Sequence, residues 1–169
     1  KMAPVQVAWP ATDDESIEFQ VSVAWKLILD GQHTEREHYA NFKGQHMLPL
    51  ARAVCNGSGS LRINPEELFV AAIASCQMMT YVGLASNNGL QVLAYHDEAR
   101  AMRVRRMEGV SELVEIVMNP VVTFQEEETE GLRSLAIRLV SEAQQENHLM
   151  KMVKANFLVR PLFMFGGLI

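Results

Sequence analysis

An α+β fold, with antiparallel hairpins set around two helices, is what this 169-residue sequence predicts. Three observations carry the prediction. Residues Ile17 to Leu27 alternate apolar and polar side chains with a period of two, Asn64 to Ala85 reads as one capped apolar helix, and Leu132 to Ala143 repeats apolar residues at amphipathic helical spacing. Strands, a buried helix, more strands, an amphipathic helix and a last strand follow one another in the order of an α+β domain. The length suits one domain with a sizeable core rather than two. Within that single domain, residues 1–63 form an N-terminal hairpin and loop, 64–88 the central helix, and 90–169 a second hairpin, a helix and a final strand.

In the first segment, Ile17, Phe19, Val21, Val23, Trp25 and Leu27 are interleaved with Glu18, Gln20, Ser22, Ala24 and Lys26, the pattern of a strand with one face on a core. Asp30-Gly31 is a turn signal, so His33 to Phe42 returns as the second strand of a hairpin. Gly44 to Ile63 holds Pro49, Asn56, Gly57, Ser58, Gly59 and Ser60 and reads as a long loop. The helix after it is well specified at its start. Asn64 is an N-cap, Pro65 occupies the first helical position where a missing N–H costs nothing, and Glu67 can reach back to the cap amide. Leu68, Phe69, Ile73, Met78, Met79, Tyr81, Val82 and Leu84 leave no continuous polar face, so the helix must be covered on most sides. Asn87, Asn88 and Gly89 end it.

Gln91 to Arg105 and Ser111 to Phe124 read as two strands joined at Glu108-Gly109. Glu126, Glu127 and Glu128 suit the positive end of the second helix, in which Leu132, Leu135, Ala136, Leu139, Val140 and Ala143 form the apolar stripe. His148 to Lys154 adds a helical turn, and Asn156 to Phe165 is a final strand that Pro161 places at a sheet edge or its end.

Composition removes several classes of function. A net charge of −5 and a pI of about 5.5 leave no basic stripe for a phosphate backbone, so no nucleic-acid partner is expected. Leu68 to Ala85 lacks charge and is nearly long enough to span a bilayer, but Ser75, Gln77, Thr80 and the alanines make it weakly lipophilic, so it reads as a core helix without a membrane partner. Neither a dinucleotide fingerprint nor a P-loop is present. His33, His38 and His46 with Glu35 and Glu37 match no structural zinc spacing, and no metal is expected. Two cysteines, Cys55 and Cys76, without a secretory signal point to cytoplasmic thiol chemistry.

The stretch NPEELFVAAIASC, Asn64 to Cys76, resembles the motif of the OsmC/Ohr family of thiol-dependent organic hydroperoxide reductases, and the similarity runs over most of the chain, the Arg36-Glu37-His38 element included. The resemblance implies a curved antiparallel sheet around two central helices, in an intertwined homodimer with active sites at the interface. By it, Cys76 matches the peroxidatic cysteine, Glu66 the motif glutamate and Arg36 the arginine that partners the thiol; His38 and Gln77 are candidate auxiliary residues beside that set. The family places a resolving cysteine near the end of the second helix. Here the matching stretch is Glu146 to Met150, and Asn147 or His148 stands in its place.

Thiol peroxidase chemistry requires the thiolate, because that is the nucleophile. Burial in an apolar helix disfavours the charged form, so a nearby cation is needed, and the guanidinium of Arg36 can supply it. Ten residues of straight helix separate Glu66 from Cys76 by roughly 15 Å, so a carboxylate beside the thiol demands either a bend or delivery from a partner chain. Without a second cysteine, an oxidised Cys76 is left to an external thiol, small or protein-borne, or to Cys55 in the preceding loop. No bound cofactor is implied. The bland readings are an inert core thiol for Cys76, a helix-dipole acid for Glu66, and gap-filling for the ten methionines. The expected function is reduction of alkyl or lipid hydroperoxides at Cys76. The alternative is an OsmC-fold dimer with little or no peroxidase activity that binds an apolar ligand or acts as a thiol redox sensor.

Overall fold

A computed structural model describes residues 20–24, 38–42, 46–50, 62–105 and 111–167. The chain divides into two compact units, Lys1–Ile63 and Asn64–Ile169. Arg36, Cys55 and the remainder of the predicted first hairpin lie outside the described residues.

In the first unit, β1 (Val21–Ala24), β2 (His38–Phe42) and β3 (His46–Leu50) form an antiparallel sheet in the order β1-β2-β3. Val21 faces Phe42 and Ala24 faces Tyr39, which is the hairpin pairing the alternation predicts. The third strand was not expected, since residues 44–63 read as loop. Pro49 supplied that misleading signal, and its position explains why it is tolerated: β3 is an edge strand, where a residue without an N–H need not break a ladder. Ala40 and Leu50 are buried, whereas Val21 and Val23 are 51% and 65% exposed. Among the described residues of this unit, the apolar face of β1 has no cover.

The second unit is built on α1 (Pro65–Asn87), and the predicted capping box is present in full. The Glu67 amide donates to Asn64 Oδ1 at 2.8 Å, and the Asn64 amide donates to Glu67 Oε2 at 2.9 Å. At the other end Gly89 adopts φ +78°, the left-handed conformation that ends helices most cheaply with glycine. Val70, Ile73, Gln77, Tyr81 and Ala85 are its buried residues, one stripe at three- and four-residue spacing. The rest of its apolar circumference is half-buried or open, and Met79 is 67% exposed. By length and composition alone α1 is apolar enough to cross a bilayer.

Six short strands follow in two three-stranded sheets, β4-β7-β9 and β5-β6-β8. They are β4 (Val92–His96), β5 (Arg100–Arg105), β6 (Ser111–Met118), β7 (Val121–Phe124), β8 (Asn156–Val159) and β9 (Leu162–Met164). The three long strands read from the sequence are therefore each cut in two. The cuts fall at Asp97 to Ala99, at Asn119-Pro120 and at Arg160-Pro161, where proline cannot donate to a ladder. Hydrogen bonds hold the break together: Asn119 N to Asp97 Oδ1 at 2.7 Å, Arg160 N to Met118 O at 2.9 Å and Leu162 N to Pro120 O at 2.8 Å. The β4–β7 and β5–β6 pairs are antiparallel as predicted, while β8 and β9 run parallel to β6 and β7 at the sheet edges. The crossover that makes parallel pairing possible contains α2 (Glu130–Glu146) and α3 (His148–Lys151).

Thr129 caps α2, and the predicted stripe is buried at Ala136, Leu139, Val140 and Ala143. These residues join Tyr81, Ala85, Leu90, Val122, Phe124 and Phe163 in the larger core cluster. Tyr81 lies within ring-packing distance of Phe163, 6.5 Å between centroids, and its hydroxyl donates to Ala136 O. A smaller cluster gathers Ile73, Ile116, Met118 and Met150. Because the α1 cap is complete, Asn64→Ala should lower unfolding stability by about 1 kcal/mol, measured by urea titration followed by circular dichroism; an unchanged midpoint would show that the cap adds nothing.

Candidate active site around Cys76

Cys76 sits mid-way along α1, one turn beyond the buried Ile73 and adjacent to the buried Gln77. That places it at the border of the packed stripe, and its thiol is free and half-exposed. Thr80, one turn on, donates its hydroxyl to Cys76 O at 2.9 Å, which occupies the hydroxyl on the backbone rather than on the sulfur. Among the described residues, the polar group that faces Sγ is Nδ1 of His148, 3.8 Å away.

His148 reaches the thiol because of its neighbour. Asn147 is fully buried at the joint between α2 and α3, where its backbone N–H closes α2 on Ala143 O at 3.0 Å. Its side-chain Oδ1 accepts from Leu149 N and Met150 N at 3.1 and 3.2 Å and so starts α3. Its Nδ2 donates across to Ile73 O at 3.3 Å, one turn before Cys76. A carbonyl has two lone pairs, so Ile73 O can take this bond without giving up its helical partner. Three polar atoms of one side chain and backbone thus fix the α2–α3 corner against α1, and His148 is the next residue along.

The other candidate residues are placed as follows. Glu66, in the first turn of α1, pairs with Arg103 of β5 through a hydrogen-bonded ion pair, both side chains about one-third exposed. The helix is uninterrupted from Pro65 to Asn87, and the ten-residue separation keeps Glu66 roughly 15 Å along the axis from Cys76. Gln77 is 1% exposed, and its Oε1 has no hydrogen-bond partner among the described residues. His38 opens β2 of the first unit, opposite Leu50. Arg36 lies outside the described residues. The structure therefore brings together Cys76, Asn147 and His148 and separates Glu66 from them.

Arg103 was missed as a functional candidate, since a basic residue on a mixed strand carries no signal for its partner 37 positions away. The role of Asn147 was open to a closer look: Asn directly after a helical run, ahead of another short turn, is a capping pattern in its own right. A cleft of about 440 Å³ lined by Ser86, Gly89, Leu90, Gln91, Gln125 and Glu126 lies at the far end of α1 from the thiol. Among the described residues, no three His, Cys, Asp or Glu side chains are grouped to hold a metal ion.

Comparison with known families fits this architecture. The OsmC-like protein family matches residues 57–156, more than half of the chain, and the chain belongs to that family. Among solved structures, an OsmC-like protein of unknown function from Vibrio cholerae superposes with a TM-score of 0.75 at 22% identity, over 87% of this chain and 100% of that one. An organic hydroperoxide resistance protein OsmC from Legionella pneumophila gives 0.63 at 15% identity, over 88% and 97% of the two chains. The organic hydroperoxide resistance protein OhrB of Bacillus subtilis gives 0.59 at 17%, over 87% and 98%. At these identities the likeness is one of fold. Comparison with curated proteins gives no match.

The geometry separates the two candidates for the resolving position. Because His148 and not Asn147 faces Sγ, His148→Cys should form a disulfide with Cys76 on exposure to an alkyl hydroperoxide, whereas Asn147→Cys should not. Peptide mapping under non-reducing conditions reads this directly, and a 76–147 link in preference to 76–148 would contradict the placement.

Proposed function

We propose that this protein is a thiol-dependent peroxidase that reduces organic hydroperoxides, alkyl or lipid, at Cys76. An external thiol, small or protein-borne, returns the enzyme to its reduced form in a cytoplasmic, reducing setting. The observation that carries the reading is a free, half-exposed thiol on the central helix of an OsmC fold, with an imidazole and no second thiol against it among the described residues. Attack of sulfur on the peroxide forms an S–O bond and breaks O–O, leaving a sulfenic acid and an alcohol. One external thiol then condenses with the sulfenic acid and releases water, and a second displaces the mixed disulfide. Met79, one turn along α1 and largely exposed, adds apolar surface near the thiol suited to the carbon skeleton of the substrate.

In this reading Arg36 supplies the fixed positive charge that favours the thiolate. Glu66 holds a guanidinium in place and acts at a thiol other than that of its own helix. A homodimer meets that requirement, and it also covers the open circumference of α1 and the exposed Val21 and Val23. Sedimentation equilibrium should accordingly return twice the 19.0 kDa mass of one chain; a monomer at micromolar concentration would remove the dimer from the proposal.

Activity is tested with cumene hydroperoxide, using a monothiol and a dithiol as alternative reductants. Turnover should be sustained by both, since no internal disulfide has to be opened, and Cys76→Ser should abolish it. Absence of turnover with either reductant in a folded wild-type protein would instead favour an OsmC-fold protein that binds an apolar ligand or senses oxidants through Cys76.

A further inference from the structure

We propose that His148 is the proton carrier of Cys76: its Nδ1 takes the thiol proton as sulfur becomes the nucleophile and returns it to the alkoxide that leaves when the O–O bond breaks. This inference rests on the peroxidase reading. It assigns a chemical task to the residue found where a resolving cysteine was expected.

The geometry has three parts. Sγ and Nδ1 are 3.8 Å apart, within reach of a sulfur–nitrogen hydrogen bond, so transfer between them needs no rearrangement of the helices. The His148 backbone is held by the buried Asn147 on one side and by the buried Met150 on the other, so the imidazole is presented from a fixed corner. His148 itself is exposed and Cys76 half-exposed, so a peroxide oxygen can approach both from solvent. Imidazole is the one side chain that ordinarily both accepts and releases a proton near neutral pH.

The neighbourhood offers no competing carrier among the described residues. From Leu68 to Asn87 helix α1 has no charged residue. The elements packed around this corner bring Glu142 and Glu146 on α2, Lys151 on α3, Tyr95 and His96 on β4, and Glu112 and Glu115 on β6. Among the described residues, Glu142, Glu146, Lys151, Tyr95, His96 and Glu115 make no hydrogen bond or ion pair with Cys76 or His148. Arg36 lies outside the described residues and, as a permanently charged group, can favour the thiolate without carrying its proton.

The step balances without a further reagent. Cys76 Sγ loses its proton to Nδ1 and donates an electron pair to the distal peroxide oxygen, forming S–O. The O–O bond breaks, sulfur is oxidised by two electrons and the peroxide is reduced. The departing alkoxide takes the proton from the imidazolium, and the products are the sulfenic acid and the alcohol. The external thiol already named completes the cycle.

The test compares wild type with His148→Asn, which keeps an amide group near the position of Nδ1 but cannot carry a proton. Alkylation of Cys76 by iodoacetamide, followed by peptide mass so that Cys55 does not interfere, is measured from pH 5 to 9. The variant's alkylation should be slower than wild type on the acid limb of the profile, because no base beside Sγ then takes the thiol proton. Its kcat/KM for tert-butyl hydroperoxide should fall about a hundredfold, at the low end for acid–base catalysis. Superimposable alkylation profiles in two folded proteins overturn the inference. A slower acid limb in a protein that never turns over peroxide keeps the pair and defeats the peroxidase reading. Undiminished peroxidase activity in the variant keeps the peroxidase reading and defeats the pair.

Discussion

The amide of Asn147 is the constraint on which the arrangement around the thiol depends. It is buried, it ends one helix, it begins the next, and it crosses to a carbonyl of the central helix one turn from Cys76. A buried amide that loses any of these partners leaves polar groups stranded away from water, at a cost of about 1–3 kcal/mol per group. The corner therefore has a preferred geometry, and a side chain attached next to it inherits that precision. His148 needs no hydrogen bond of its own to the scaffold in order to be well placed.

The central helix works on a different principle. Its buried stripe runs from Val70 through Tyr81 to Ala85, and this stripe holds it against the rest of the second unit. Cys76 borders the stripe and so lies between packed core and open surface, which keeps the sulfur accessible while its helix stays fixed. A cysteine at Ile73, fully buried one turn earlier, would be inert. Glu66 sits too far along the same helix to share the thiol's surroundings, and its carboxylate is occupied by Arg103.

Much of this was readable from local signals. The start and end of α1 are set by Asn64, Pro65, Glu67 and Gly89, all of which act within a few residues, and the stripe of α2 follows from its own spacing. The NPE-to-cysteine motif likewise pointed to the family. What the chain did not disclose depends on contacts across long separations. The family resemblance put Asn147 or His148 opposite Cys76, but no local signal decides that His148, 72 positions on, is the one that faces it, or that Arg103 reaches Glu66. The strand breaks at Pro120 and Pro161 were half visible, because each proline announces an interruption, but their alignment across neighbouring strands is a property of the assembled sheet. Pro49 misled in the opposite direction, since a proline on an edge strand looks the same in sequence as one in a loop.

Those aligned breaks have a dynamic outcome. Each interrupted strand sends its first half to one sheet and its second half to the other, so Ile116 and Met118 belong to one apolar cluster while Val122 and Phe124 belong to another. Among the described residues, the cluster beneath Asn147 has four buried members against ten in its neighbour, and free energies of local opening scale with what must be unpacked. Fraying of the short third helix therefore costs far less than melting the domain. Cys76 lies beside the smaller cluster, so an opening there would bare its sulfur while leaving the aromatic packing of the larger one intact.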